Sequence, residues 1–162
     1  MKHLIFSSVA LVFVSGPGIV VASCSDEGFG NRLNQNQIEN RLSDKRVLAI
    51  SPSGEEWHQD HCDNGNLFKV GTTASPPKYP GRPSVDPRAY RGTWETSGSG
   101  ANALVRYNYT VGGNLSFDWS LWSDTAGNTL GRLCWQNPDT SAVVATTDSA
   151  PAGLAGEDCT AP

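Results

Sequence analysis

Between residues 102 and 122 apolar side chains fall on every second position. In "NALVRYNYT" Ala103, Val105, Tyr107 and Tyr109 alternate with Asn102, Leu104, Arg106 and Asn108. In "LSFDWSLW" Leu115, Phe117, Trp119 and Leu121 alternate with Ser116, Asp118, Ser120 and Trp122. A period of two belongs to a strand with one face on a core and the other in water. Val111-Gly112-Gly113-Asn114 turns the chain between the two runs, so they predict a hairpin.

Shorter signals of the same kind recur on both sides. "RVLAIS" at 46–51 reads as a buried strand, and Asp63-Asn64-Gly65 separates two extended runs, residues 55–62 and "NLFKVG". Asn-Gly there predicts a type I′ hairpin turn, which needs positive φ at both central residues. On the strand before it, Trp57, Gln59 and His61 share one face, and Glu56, His58, Asp60 and Cys62 the other. "YRGTWETS" at 90–97, "TLGRLCWQ" at 129–136 and "SAVVATT" at 141–147 add three more strands. Leu33, Ile38 and Leu42 form one thin apolar stripe that allows a short helix within 35–44. Seven or eight short strands at about ten-residue spacing predict an all-β antiparallel meander, closed into a small lipocalin-like barrel or stacked as a sandwich.

The first 22 residues follow a different pattern. Lys2 and His3 precede an apolar run from Leu4 to Val14, too short for a membrane span of about 20 residues, and small residues follow at Val20 and Ala22. This is a secretory leader, with cleavage after Ala22. Val21-Ala22-Ser23-Cys24 also resembles a bacterial lipobox, so a lipid anchor at Cys24 is the alternative. The chain then divides into a polar segment at 23–44, a β domain at 45–148 and a tail at 149–162.

Composition sharpens this picture. The net charge of −4 drops further when Lys2 leaves with the leader, which argues against nucleic acid and anionic membranes as partners. Cys24, Cys62, Cys134 and Cys159 are an even set in an exported chain and predict two disulfides, with three connectivities open. The preferred pairing ties Cys62 to Cys134 and Cys24 to Cys159, whereas acylation of Cys24 would leave one thiol free. Within the acidic chain, the stretch 72–89 holds five of the ten prolines together with Lys78, Arg82 and Arg88, and Arg91 lies just beyond.

Trp57, Gln59 and His61 before a glycine turn, Leu67 and Lys69 after it, "VDP" at 85–87, "GTW" at 92–94 and "YNY" at 107–109 with a following glycine pair form a set. Over residues 42–136 the chain thereby resembles a loose group of small exported bacterial proteins without an assigned activity. That resemblance implies a cysteine near position 49, where this chain has Ala49, and hence a different disulfide pattern here. It brings no catalytic residue, cofactor or partner.

Three sets of residues are candidates for function. His58, Asp60 and Cys62 share a strand face at i, i+2, i+4 and could ligate zinc or copper if Cys62 were a thiol. His58, Asp60 and His61 would serve a small hydrolase, although no second acid, serine elbow, HExxH helix or nucleotide loop accompanies them. Lys78, Arg82, Arg88 and Arg91 could grip an anionic envelope glycan or protein partner, and Trp122 could offer an exposed ring for stacking. The reading that results is an exported, extracytoplasmic, non-enzymatic binding or structural module, with no cofactor and no catalytic residue assigned.

Overall fold

A computed structural model describes residues 22–70, 88–110, 113–154 and 156–162 of the protein. Residues 1–21, within the leader expected at 1–22, and the proline-rich residues 71–87, Lys78 and Arg82 among them, lie outside the described residues. In chain order the elements are β1 (Asn31–Arg32), α1 (Gln35–Leu42), β2 (Lys45–Ile50), β3 (Glu56–His61), β4 (Asn66–Val70) and β5 (Ala89–Ser97). A 3-10 turn at Gly100–Asn102 leads to β6 (Leu104–Tyr109), β7 (Leu115–Ser123), β8 (Leu133–Gln136), β9 (Val143–Thr146) and β10 (Ala152–Gly153).

Each strand from β2 to β9 pairs antiparallel with the next, and β9 returns to β2 through Ile50 and Thr146. This is a closed eight-stranded up-and-down barrel, not a sandwich. β9 meets β2 in one registered pair, and the two-residue β10 and β1 pair the parts of β2 and β7 that β9 and β6 do not reach. The period-two pattern sorts side chains as expected: Val47, Leu67, Trp94, Val105, Tyr107, Leu121 and Leu133 form one interior core. The last barrel hairpin is shorter than the pattern predicts. Residues 129–132 are irregular and Leu130 is exposed, while a Cβ at Gly131 would fall 2.3 Å from an Asp124 carboxylate oxygen.

The thin stripe at 33–42 does form a helix, started by a capping box in which Asn34 and Gln37 satisfy each other's backbone N–H groups. Ile38 and Leu42 are fully buried and, with Leu33, join the barrel core, so α1 stoppers one end of the barrel. Arg41 on the same helix is also buried. Its Nη2 donates to the carbonyls of Thr125, Gly127 and Thr129, pinning the β7–β8 loop against the stopper.

Two expectations are corrected here. The β3–β4 turn is a three-residue loop closed by Cys62 N to Asn66 O at 3.0 Å, and only Gly65 has positive φ (83°). Asn64 instead spends its side chain on the Asn66 N–H and the Cys159 carbonyl, and the Gly65 carbonyl accepts from Trp94 N at 2.8 Å. The disulfides are Cys24–Cys134 and Cys62–Cys159, the opposite of the preferred pairing. Closure of the barrel explains why. Cys62 follows β3 and Cys134 lies on β8, with β2 and β9 between them, a separation of about 14 Å at the usual strand spacing. Disulfide cysteines need Cα atoms within about 7 Å. Each of these two therefore takes a partner from the chain terminus that runs over its own outer wall.

Candidate binding site at the open end of the barrel

The end of the barrel opposite α1 carries no stopper among the described residues. Its wall is built where aromatic positions meet small ones across the ladder. Trp57 on β3 is the registered neighbour of Ala49 on β2, and Trp135 on β8 that of Ala145 on β9. The small side chains leave room beside the large ones, and a cavity of about 200 Å³ results. On the opposite side Phe117 and Trp119, two residues apart on β7, stack with ring centroids 5.9 Å apart and planes within 10°. Tyr109 stands edge-on to Phe117. Phe117 is 40% exposed and Leu115 51%, so the apolar lining continues onto the rim.

Polar groups in the cavity are few and mutually engaged. Trp135 Nε1 donates to the Tyr107 hydroxyl at 3.0 Å, and that hydroxyl is 2.9 Å from His61 Nε2. An indole N–H can only donate, so Tyr107 accepts from Trp135, and its hydroxyl shares a second hydrogen bond with His61 Nε2. Burial pushes the His61 imidazolium down to about 4, against a smaller opposing pull from Asp60. Burial likewise raises Tyr107 well above the usual phenol range, with the Trp135 bond opposing it. Nearer the rim Gln59 Nε2 donates to the Tyr109 hydroxyl at 3.1 Å. Burial raises the Tyr109 phenol too, so it is a neutral O–H at physiological pH. Among the described residues, no carboxylate, histidine, serine or cysteine lines the cavity.

The metal triad of the sequence reading is dismantled by its neighbours. Asp60 is fully buried on the outer wall, where Arg46 binds both its oxygens at 2.7 and 2.8 Å and Arg88 Nε binds one at 2.6 Å. Burial alone would raise this carboxyl, but the two guanidiniums outweigh it and hold it below the usual range. Cys62 is bonded to Cys159, and no group of three His, Cys, Asp or Glu able to hold an ion occurs among the described residues. His58 and His61 lie on opposite faces of β3, so the hydrolase set is also not assembled.

The cationic set divides. Arg88 belongs to the wall: it bonds Asp60, lies 3.9 Å over the Phe68 ring and donates to the Asp158 carbonyl, fastening the C-terminal tail. Arg91 sits half-buried in β5 beside the register shift against β4. Trp122 does face outward, but β1 pairs with it through Arg32, and it packs with Phe29 and the Cys24–Cys134 bridge. The sulfur of Cys24, which a lipid anchor would need, is bonded to Cys134.

No family model, curated protein or solved structure matches the chain. Function therefore has to be argued from the cavity. The period of two predicts Tyr109, Phe117 and Trp119 on the core-facing side of their hairpin and puts Trp57 and Gln59 on one face of β3 with His61. Only the end-to-end order of the strands reveals that one half of each inward face meets the α1 stopper and that the other half has no stopper among the described residues.

Proposed function

We propose that this protein is an exported, non-enzymatic binding module that holds a small apolar ligand in the open end of its barrel. One observation carries the reading: a cavity of about 200 Å³ walled by Trp57, Tyr109, Phe117, Trp119 and Trp135, with exposed apolar side chains at its lip. A barrel of eight strands has an interior just wide enough to be filled by side chains or to hold one small ligand. Here the stoppered half is filled, and the aromatic half retains space. The leader-like N-terminus and the two disulfides support work outside the cytoplasm, where a staple across a long loop persists.

The test is ligand-observed NMR titration with toluene, a neutral single ring of a size this cavity can take. Saturable binding is expected for the wild type. Ala49→Leu, which fills the space beside Trp57, is expected to lose it while keeping the far-ultraviolet circular dichroism of the barrel. Arg106→Gln, on the outer wall where Arg106 pairs with Asp118, is expected to bind as the wild type does. Equal saturation in the wild type and in Ala49→Leu, or none in either, would overturn the reading.

A further inference from the structure

We infer that the ligand of the barrel's open end is an uncharged molecule with a single flat aromatic ring carrying a hydrogen-bond acceptor, held by the Tyr109 hydroxyl. The inference rests on the proposed binding role of this cavity and adds the chemical class of what fills it.

Size sets the first limit. An apolar cavity of about 150 Å³ takes one benzene, so the 200 Å³ here accommodates one substituted ring and excludes a fused polycycle or most of an acyl chain. Shape sets the second. Phe117 and Trp119 stack with planes within 10° of parallel, and a flat ring can continue that stack in offset geometry. A flexible chain would also have to give up rotamer freedom there, which a rigid ring does not.

Charge sets the third limit. Among the described residues the lining holds no ionised side chain, and the imidazole beneath it, His61, is neutral above about pH 4. An ionic ligand would leave water without meeting a counter-charge.

Hydrogen bonding gives the last. At the floor, Trp135 Nε1, the Tyr107 hydroxyl and His61 Nε2 are engaged with one another, and the unpartnered Nδ1 belongs to His61, which lies outside the lining. At the rim, the Tyr109 oxygen is already occupied by Gln59 Nε2, so what it has left to offer is its proton. Tyr109 lines the same cavity, and a carbonyl or ether oxygen on the ligand's ring would receive that proton.

Ligand-observed NMR titration of the full, oxidised chain against four probes separates the possibilities: acetophenone, toluene, benzoate and 1-heptanol. Acetophenone is expected to bind ~5-fold tighter than toluene, the gain of one neutral hydrogen bond. Benzoate is expected to bind at least ~10-fold weaker than acetophenone for want of a counter-charge, and 1-heptanol weaker as well. In Tyr109→Phe the acetophenone-to-toluene ratio is expected to fall to about one with the loss of that bond. Benzoate or 1-heptanol equalling acetophenone, or a ratio unchanged in Tyr109→Phe, would overturn the ligand class and leave the cavity as a binding site. Failure of all four probes to bind the wild type would overturn the cavity's role itself.

Discussion

His61 makes the stability of this protein depend on pH in a window where few other groups titrate. The imidazole is fully buried between Trp94 and Tyr107, with ring centroids 5.5 and 5.6 Å away, and its Nε2 shares a hydrogen bond with the Tyr107 hydroxyl. In the unfolded chain a histidine takes up its proton near pH 6.5, whereas in the fold it does so only near pH 4. Over that interval the unfolded state binds the extra proton. Stability is therefore fully present above pH 6.5, falls as pH drops toward 4, and has no further contribution from this group below that. Linkage gives about 2 kcal/mol lost between pH 7 and pH 5, and about 3 kcal/mol over the whole interval. Carboxylates held low by their partners, such as Asp60, act at lower pH, since their unfolded counterparts protonate near 4. Urea denaturation at half-unit steps from pH 7 to 5, run on the wild type and on His61→Gln, isolates the effect. The wild type should lose stability across the series while the variant stays nearly flat. A wild type that loses under about 0.5 kcal/mol, or a variant with the same slope, would refute a neutral buried His61.

Other consequences follow from the outer wall and the stopper. Asp60→Asn takes the carboxylate from Arg46 and Arg88, which are themselves only partly covered; a cost of about 2 kcal/mol is expected in chemical denaturation, and a neutral result would show the network to be ornamental. Cys159→Ser opens a bridge spanning 97 residues, with an expected loss of about 3 kcal/mol and faster limited proteolysis within 149–162; an unchanged cleavage pattern would mean that the arginines hold the tail alone. Ile38→Ala removes a fully buried stopper side chain and should cost about 3 kcal/mol by thermal unfolding, whereas a loss under 1 kcal/mol would mean that α1 does not close the barrel core.

Much of this fold is legible along the chain, and the reason is local. Alternation on β6 and β7 decides which side chains face inward, because a strand has no other way to place consecutive residues. The helix at 35–42 shows as a stripe of Leu33, Ile38 and Leu42, and its capping box could have been found from Asn34 and Gln37. The type of turn at Asp63–Gly65 could not, since it depends on Asn64 reaching a carbonyl of Cys159, 95 residues away. The same holds for Asp60, whose neighbours on its own strand suggest a metal ligand and whose neighbours across the fold make it an anchor for two arginines.

The sequence by itself determined an all-β antiparallel architecture, the inward face of each strand and an even set of cysteines, because these follow from side-chain period and composition. Only the tertiary structure decided closure, and closure decided the rest. Once β9 pairs with β2, Cys62 and Cys134 are held too far apart on the outer wall to join, so each termini-borne cysteine is paired with the wall it crosses. Once α1 seats in one end, the remaining inward aromatics line the other end as a cavity. Which half of an inward face is filled and which is left empty depends on contacts between residues distant in the chain, and no local pattern records them.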